Sequence, residues 1–476
     1  MPKSKKFYIT TPIYYVNAKP HIGHTYTTVA ADVLARYHRQ IGDKTFFLTG
    51  TDEHGAKIAE KAESEGKNPK EFVDGIANEF KKAWKEMDIS YDKFIRTTDG
   101  DHIRAVQNAM QVMYEKGDIY LGSYEGLYCT GCEQFKNEKD LINGLCPDHK
   151  IPPIHLKEES YMFKMSKYEK ELLKLIEKDE LLIRPEGKKN EVLSFYKKEG
   201  LKDVSFSRKN VSWGIPIPWD KSHTIYVWAD AFLNYLTGLD WDGSLGKAPE
   251  MWPPDAELMS KDILRVHATI WPAMLMSLEL SLPKELFVHG YFLVSGEKMS
   301  KSVGNVISPE ELISRYGVDA TRYLLMAAAV FGNDADIGWK WLDEKFNAEL
   351  ANGLGNLAGR VATLLEKNKI ELDIAGYEDR ELAKNFGKRM EALALDDALK
   401  LVQIKVRETD EFLSSRAPWK LKDVKEVKEV LEPAAKNIIA IGKLLAPFMP
   451  EVSKKIVEQF SQKQIKKQAS LFPRVN

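Results

Sequence analysis

Four residues in the first third of the chain have the types and spacing of a metal site. Cys129-Thr130-Gly131-Cys132 is followed, thirteen residues on, by Cys146-Pro147-Asp148-His149. Two short pairs of thiolate and imidazole donors at this separation fit a closed tetrahedral zinc site. All three cysteines of the chain are used, and a cluster of odd number argues against a disulfide framework. Four ligands leave no open position, so the expected role is one structural Zn²⁺ rather than a catalytic one.

Two further motifs have the chemistry of phosphate handling. Pro20-His21-Ile22-Gly23-His24 follows an apolar run and opens a helical pattern. A helix N-terminus presents unpaired N–H groups and partial positive charge, which attract phosphate. Two imidazoles three positions apart can donate to phosphate oxygens there, and Gly23 lets a planar base lie against the backbone. Lys298-Met299-Ser300-Lys301-Ser302 follows Gly296 in a loop after a strand. Two lysines and two hydroxyls in five residues can follow a triphosphate as its charge moves. Each motif alone also fits ordinary surface residues. Together and in this order they are specific.

Elements must position these groups. Phe7–Ile13, Lys44–Leu48 and Lys93–Thr97 read as strands. Thr25–Gln40, Pro69–Met87 and Asp99–Lys116 read as helices, with apolar residues at helical spacing. Alternation of this kind predicts a doubly wound parallel sheet, with ligands outside the carboxyl ends of its strands. Residues after the first two strands, Thr11–His24 and Thr49–Gly55, should therefore line a site. The pattern breaks near Gly117, where Gly, Pro, aromatic residues and all the cysteines gather. Thr224–Trp228 and Leu286–Val294 read as returning strands, and from Asp343 the pattern is helical. There Leu350, Leu354, Leu357, Val361, Leu364 and Leu365 form one apolar stripe, with Asn352, Asn356 and Arg360 opposite.

The two motifs resemble those of the class I aminoacyl-tRNA synthetases. Three further stretches narrow the resemblance to the methionyl-tRNA synthetases. They are Thr10–Asn17 leading into His21, Gly50-Thr51-Asp52-Glu53-His54-Gly55, and the pair Tyr226–Ala231 and Lys261–His267. The resemblance covers nearly the whole chain. It implies an α/β fold: a Rossmann-type parallel-sheet catalytic domain with a zinc-knuckle connective insertion, plus an all-α C-terminal anticodon-binding helix bundle. The expected division is 1–116 and 223–294 for the two catalytic halves, 117–222 for the insertion, 295–342 for the lysine loop and stem-contact region, and 343–476 for the bundle.

The same resemblance implies roles. His21, Gly23, His24, Asp262, Lys298 and Lys301 would bind ATP, with His21, His24, Lys298 and Lys301 catalytic and Mg²⁺ on the phosphates. Asp52 and the Ile13 backbone would hold the methionine ammonium. Tyr15, Trp228, Ala231, Tyr235, Ile263 and His267 would enclose the thioether, with Trp271 nearby. A polarizable sulfur favours aromatic neighbours. Asn352, Asn356, Arg360, Pro418 and Trp419 would read the anticodon of initiator and elongator tRNA(Met). Glu257 and Ser260 stand where many members have His and Gly, Ala229 replaces a bulkier apolar residue, and Leu127 a common Trp. The chain stops soon after Arg474, without the extra C-terminal domain of some members, so a monomer is expected.

Composition bounds these expectations. The chain has 476 residues, 43% of them apolar and 29% charged, which fits two to four soluble domains. No apolar run is long enough for a membrane span, and the N-terminus lacks a signal-peptide pattern, so a cytoplasmic protein is expected. Net charge is −1, so a tRNA partner would need local basic patches. Two enzyme alternatives are another class I synthetase, for cysteine or a branched amino acid, and a metal-dependent hydrolase using His21, His24 and His54. A catalytically inert tRNA-binding module is a third. The compact cysteine knuckle speaks against the first, the lysine loop and the Asn-Asn-Arg face against the second, and intact histidine and lysine motifs against the third.

Overall fold

The computed structural model describes residues 5–475 except 132, 133, 137, 148, 210, 295 and 299–306. Its central sheet has six strands: β1 (Lys6–Tyr15), β2 (Lys44–Asp52), β3 (Lys93–Arg96), β4 (Leu182–Arg184), β5 (Ala256–Ser260) and β6 (Glu285–His289). They lie in the order β3-β2-β1-β5-β6-β4, and every pairing is parallel. Strands buried on both faces need not alternate in polarity, and Tyr8, Ile9, Phe47, Leu48, Leu258 and Val288 are all buried. Gly50 in β2 is required by a close approach: a Cβ there would lie 2.0 Å from the Ile95 carbonyl oxygen of β3.

The strand order reverses between β1 and β5. That switch point opens a crevice at the carboxyl ends, where doubly wound sheets bind their ligands. Helix α1 (Ile22–Gln40) starts there, its first turn set by His21 and its far end closed by Ile41 and Gly42 at φ 91°. Val29, Val33 and Leu34 of α1 are fully buried against the sheet.

Four elements depart from the sequence pattern. β5 carries Glu257 and Ser260, so it does not read as an apolar run, yet it is central. β4 falls inside the span 117–222 expected as insertion but forms an edge of the central sheet. Thr224–Trp228 is not a strand of that sheet: Thr224–Ile225 pairs antiparallel with Ser207–Arg208, and a helical turn, Val227–Ala231, begins directly after it. The expected strand Leu286–Val294 divides into β6 and Phe292–Val294, the latter pairing antiparallel with Glu297–Lys298.

The span 117–222 also holds a four-stranded antiparallel sheet of Gln134–Lys136, Ile119–Cys129, Ile154–Phe163 and Val204–Ser205, and the helices Glu169–Glu177 and Glu186–Lys198. The C-terminal part is helical, with Asn356–Lys367, Leu395–Arg416, Val424–Leu445 and Pro450–Phe460 among its helices. Its apolar face is continuous with the core under α1. One fully buried side chain joins the two: Arg322 donates to Asp32 of α1 at 2.6 Å and to the Phe448 and Pro447 carbonyls at 2.9 and 3.0 Å. A buried guanidinium with its charge and donors satisfied fixes the bundle to the helix that carries the histidine motif.

Candidate active site and metal centre

The histidine motif caps its own helix. Gly23 N–H donates to His21 Nδ1 at 3.1 Å, and His21 N–H donates to His24 Nδ1 at 3.3 Å. Both Nδ1 atoms therefore accept, and in the neutral imidazole the ring proton sits on Nε2. The rings stack with centroids 3.7 Å apart. Burial, then the neighbouring His21, pushes His24 well below the usual imidazole range, so it is neutral at physiological pH. Tyr14 supports the pair from β1, donating to the His24 carbonyl at 3.2 Å or to Thr28 at 2.7 Å. The result is a helix N-terminus at which the neutral His24 ring is free to donate from Nε2.

The strand ends bring the other candidates to the same crevice. Ile13 pairs with Gly50 and Tyr15 with Asp52, so Ile13 and Asp52 lie on neighbouring strand ends two register positions apart. Beside Asp52, Glu53 is buried and receives Arg96 in a two-pronged pair at 2.7 and 2.8 Å. Trp213 Nε1–H donates to the Glu53 carbonyl at 2.6 Å. Ser260 at the end of β5 donates to the Asp262 carboxylate, which gives the serine at this position a definite task.

The aromatic set forms one cluster. Tyr235 O–H donates to His267 Nε2 at 2.9 Å, while His267 Nδ1–H donates to the Ile263 carbonyl at 2.9 Å. Burial holds His267 down at about 4, so it is a neutral acceptor at working pH. Phe232 packs between Trp228 at 5.4 Å and Trp271 at 5.6 Å, centroid to centroid. Ile13, Trp228, Tyr235, Ile263 and Trp271 belong to the same apolar cluster. Ala231 is buried in the turn that carries Trp228. Tyr15 is not in this cluster; it packs with Val16, Ile58 and Trp213 on the other side of the strand end.

Sequence reasoning missed what holds that turn. Asp230 is buried and accepts from His54 Nδ1–H at 2.7 Å and His102 Nε2–H at 2.8 Å. Thr237 meets His102 Nδ1 at 2.7 Å and closes the chain. Burial pushes Asp230 up, but His54 and His102 more than offset it and leave the carboxyl below its usual range. Asp230 lay within a quoted motif, but His102 gave no signal, because its partners are 128 and 135 positions away. His54 is thus committed to Asp230 instead of joining His21 and His24 around a metal.

Three of the four candidate metal ligands are described, and they converge. One donor atom each from Cys129, Cys146 and His149 lies within 4.8 Å of the others. Both cysteines are buried, and Cys146 Sγ is 4.0 Å from His149 Nδ1. Soft sulfur with imidazole nitrogen is the donor set of a structural zinc. Cys132 lies outside the described residues. Gly131 is needed for closeness, since a Cβ there would sit 2.4 Å from the His149 ring. Its carbonyl accepts from Lys57 at 2.6 Å, which ties the knuckle to the helix Ala56–Ser64 after β2.

Lys298 lies in the strand Glu297–Lys298 paired to Phe292–Val294, and Lys301 lies outside the described residues. Gly296 N–H donates to Asp336 at 2.8 Å and anchors the turn of that hairpin. A cleft of about 460 Å³ is lined by Lys202, Arg208, Tyr226, Asp262, Arg265 and Thr269, among others.

At the helical end, the Asn face sits on an irregular helix. Phe346–Gly355 is a π-helix that becomes α-helical at Asn356–Lys367, so the expected uniform stripe is instead two helical pitches in series. Leu350, Leu354, Leu357, Val361 and Leu365 are fully buried, while Leu364 is half-buried. Asn352 and Asn356 are exposed. Arg360 pairs with Asp410 at 2.7 Å and lies 5.6 Å over the Trp419 ring. Pro418 is buried and Trp419 is 47% exposed. Asn352 Oδ1 accepts from Arg474 Nε at 2.8 Å.

Comparison with known proteins places this geometry. The family described as tRNA synthetases class I (M) matches residues 7–153 and 149–362. A methionine–tRNA ligase of Caldanaerobacter subterraneus is 45% identical, over 96% of this chain and 74% of its own length. One from Streptomyces coelicolor is 42% identical, over 95% of this chain and 89% of its own. Mycobacterium tuberculosis methionyl-tRNA synthetase in complex with methionyl-adenylate superposes with a TM-score of 0.91 at 33% identity, covering 99% of this chain and 100% of that one. Matches of this identity across catalytic sheet, insertion and bundle together leave one assignment: the chain belongs to the methionyl-tRNA synthetase family of class I.

Proposed function

We propose that the protein is a methionine–tRNA ligase. The methionine carboxylate attacks the α-phosphorus of Mg²⁺-bound ATP, the bond to the β-phosphate oxygen breaks, and pyrophosphate leaves. A hydroxyl of the terminal adenosine of tRNA(Met) then attacks the adenylate carbonyl, and AMP leaves. One observation carries the reading. A helix N-terminus capped by His21 and His24 stands at the switch point of a parallel sheet, beside an aromatic cluster and next to the strand end that carries Asp52.

In this reading His21 and His24 donate from Nε2 to the ATP phosphates, and Gly23 lies against the adenine. Asp262 holds the adenosine end. Lys301, helped by Lys298, takes up the charge of the leaving pyrophosphate. Asp52 and the Ile13 carbonyl bind the ammonium. Trp228, Ala231, Tyr235, Ile263 and His267 enclose the thioether, and Tyr15 closes the strand side. The protein supplies positioning and fixed dipoles rather than a covalent nucleophile. Asn352, Asn356, Arg360, Pro418 and Trp419 bind the anticodon of initiator and elongator tRNA(Met). In this reading the functional unit is a monomer. No helix among the described residues is long and apolar enough to cross a membrane. A substrate set drawn from translation supports a cytoplasmic site of action.

Exchange of labelled pyrophosphate into ATP should depend on methionine and not on leucine, cysteine or valine. Equal exchange with leucine and none with methionine would end the assignment.

Cys129, Cys132, Cys146 and His149 would hold one zinc, which supplies a cross-link for the insertion in place of a large core. Metal analysis should find about one zinc per chain. Cys146→Ser and Cys132→Ser should lose it, and His21→Ala should keep it. Loss on the histidine change would instead favour a metal bound in the crevice.

A further inference from the structure

Behind the aromatic cluster, β5 places a carboxyl in the middle of the sheet. Glu257 is fully buried, between Thr10 of β1 and Leu286 of β6 in the parallel register. Its Oε1 accepts from the Trp271 indole N–H at 3.1 Å. Its Oε2 and the neighbouring Thr10 Oγ1 are buried without a hydrogen-bond partner. Among the described residues no cation pairs with it. On the elements around it, Tyr8 donates its hydroxyl to the Tyr235 carbonyl at 2.6 Å, Tyr235 donates to His267, and Glu285 on β6 is committed to Arg184. The hydroxyl of Tyr14, also on β1, is engaged by Thr28.

Trp271 is the back wall of the cluster. Its ring stacks on Phe232, and it meets Tyr235 at 5.6 Å and Trp252 at 5.9 Å. Phe232 in turn touches Trp228 and His267. The Trp271 indole N–H has Glu257 as its partner, so the carboxyl sets the ring's rotation and depth, and through it the shape of the front wall.

We propose that Glu257 is a positioning residue for methionine: its carboxyl anchors Trp271 and thereby holds Phe232, Trp228 and Tyr235 in the arrangement that accepts the side chain. This rests on the reading of the aromatic cluster as the methionine pocket. Burial supports it by raising the acid to about 8, against the opposing bond from Trp271, so the carboxyl is protonated at neutral pH. A neutral acid is compatible with this dry environment. An ionised one demands solvation, and admitting water at the sheet centre displaces the indole. Methionine binding should therefore weaken as the acid ionises.

The test is the pH dependence of the methionine KM in pyrophosphate exchange, for the unmodified protein, Glu257→Gln and Glu257→Leu. Glutamine keeps the acceptor and cannot ionise. Titration of methionine's own ammonium affects all three alike, so ratios isolate Glu257. The ratio of methionine KM between the unmodified protein and Glu257→Gln should rise about tenfold from pH 7 to pH 9, as expected for an acid titrating near 8. Glu257→Leu, with the indole left unpartnered, should raise the methionine KM about tenfold at pH 7 and the ATP KM less than about twofold, the amount of one lost buried hydrogen bond. Parallel pH profiles for the unmodified protein and Glu257→Gln would overturn the proposal, whether or not the leucine variant folds. So would an equal rise of both KM values in a folded Glu257→Leu. Absence of methionine-dependent exchange in the unmodified protein is a different failure, and sinks the functional reading itself.

Discussion

A His24→Ala variant should form adenylate about a hundred to a thousand times more slowly in single turnover, while its methionine Kd changes less than about threefold. The size of the effect follows from where the ring protons sit. Nδ1 of His24 is occupied as acceptor for the His21 N–H, so the ring keeps its hydrogen on Nε2. Burial keeps the ring neutral. A neutral donor held at a helix N-terminus costs no reorganisation when negative charge builds on the phosphates. Removing one such donor from a preorganised site is worth about 3–4 kcal/mol, which gives the stated range. Alanine also leaves the His21 N–H without its side-chain acceptor, a smaller cap effect of about 1 kcal/mol. Glutamine separates the two. It places an N–H near the former Nε2 while losing the cap, so His24→Gln should recover a large part of the rate. Because His24 titrates well below neutrality, its contribution should be flat between pH 6.5 and 8. A rate that rose on acidification through that window would mean that a charged imidazole does the work. An unchanged single-turnover rate in His24→Ala would remove it from the mechanism.

How much of this was visible in residues alone follows from where each interaction is closed. The histidine motif is a local device: its cap bonds span two and three positions, so spacing alone announced a helix N-terminus. The knuckle is also legible, since thiol chemistry restricts what four such residues can do. Strands β1 and β2 showed as apolar runs because they are buried on both faces. β5 did not, since its central Glu257 is a neutral acid in the fold and a charge on paper. β4 was hidden because a strand of three residues carries no period, and its neighbour β6 lies far along the chain. The Asp230 network and Arg322 were invisible for the same reason: their partners meet only after the sheet and bundle have formed. The π-helical turn escaped because its leucines fit a regular α-helical stripe nearly as well. A π-turn inside a helix often marks a functional surface, and here it adjoins the exposed Asn352 and Asn356.

That surface carries the second large effect. Trp419→Ala should lower kcat/KM for tRNA charging by about ten- to a hundredfold, and leave methionine-dependent pyrophosphate exchange within about twofold. Pro418 is buried and fixes the turn after Ala417, whose φ is 46°. Trp419 is turned outward from it, with a ring face available to a splayed base. With 47% of its surface exposed, the ring has room for a stacked base. Arg360 reinforces it: held by Asp410, its guanidinium lies over the same ring and adds cationic character to the platform. Base stacking on an aromatic ring is worth about 1–3 kcal/mol, which sets the expected range. Phenylalanine keeps a smaller stacking face, so Trp419→Phe should fall between the parent and the alanine variant. Asp410→Ala should release Arg360 and weaken tRNA binding less, with a changed salt dependence. If Trp419→Ala damaged exchange as much as charging, the ring would be serving the fold and not the RNA.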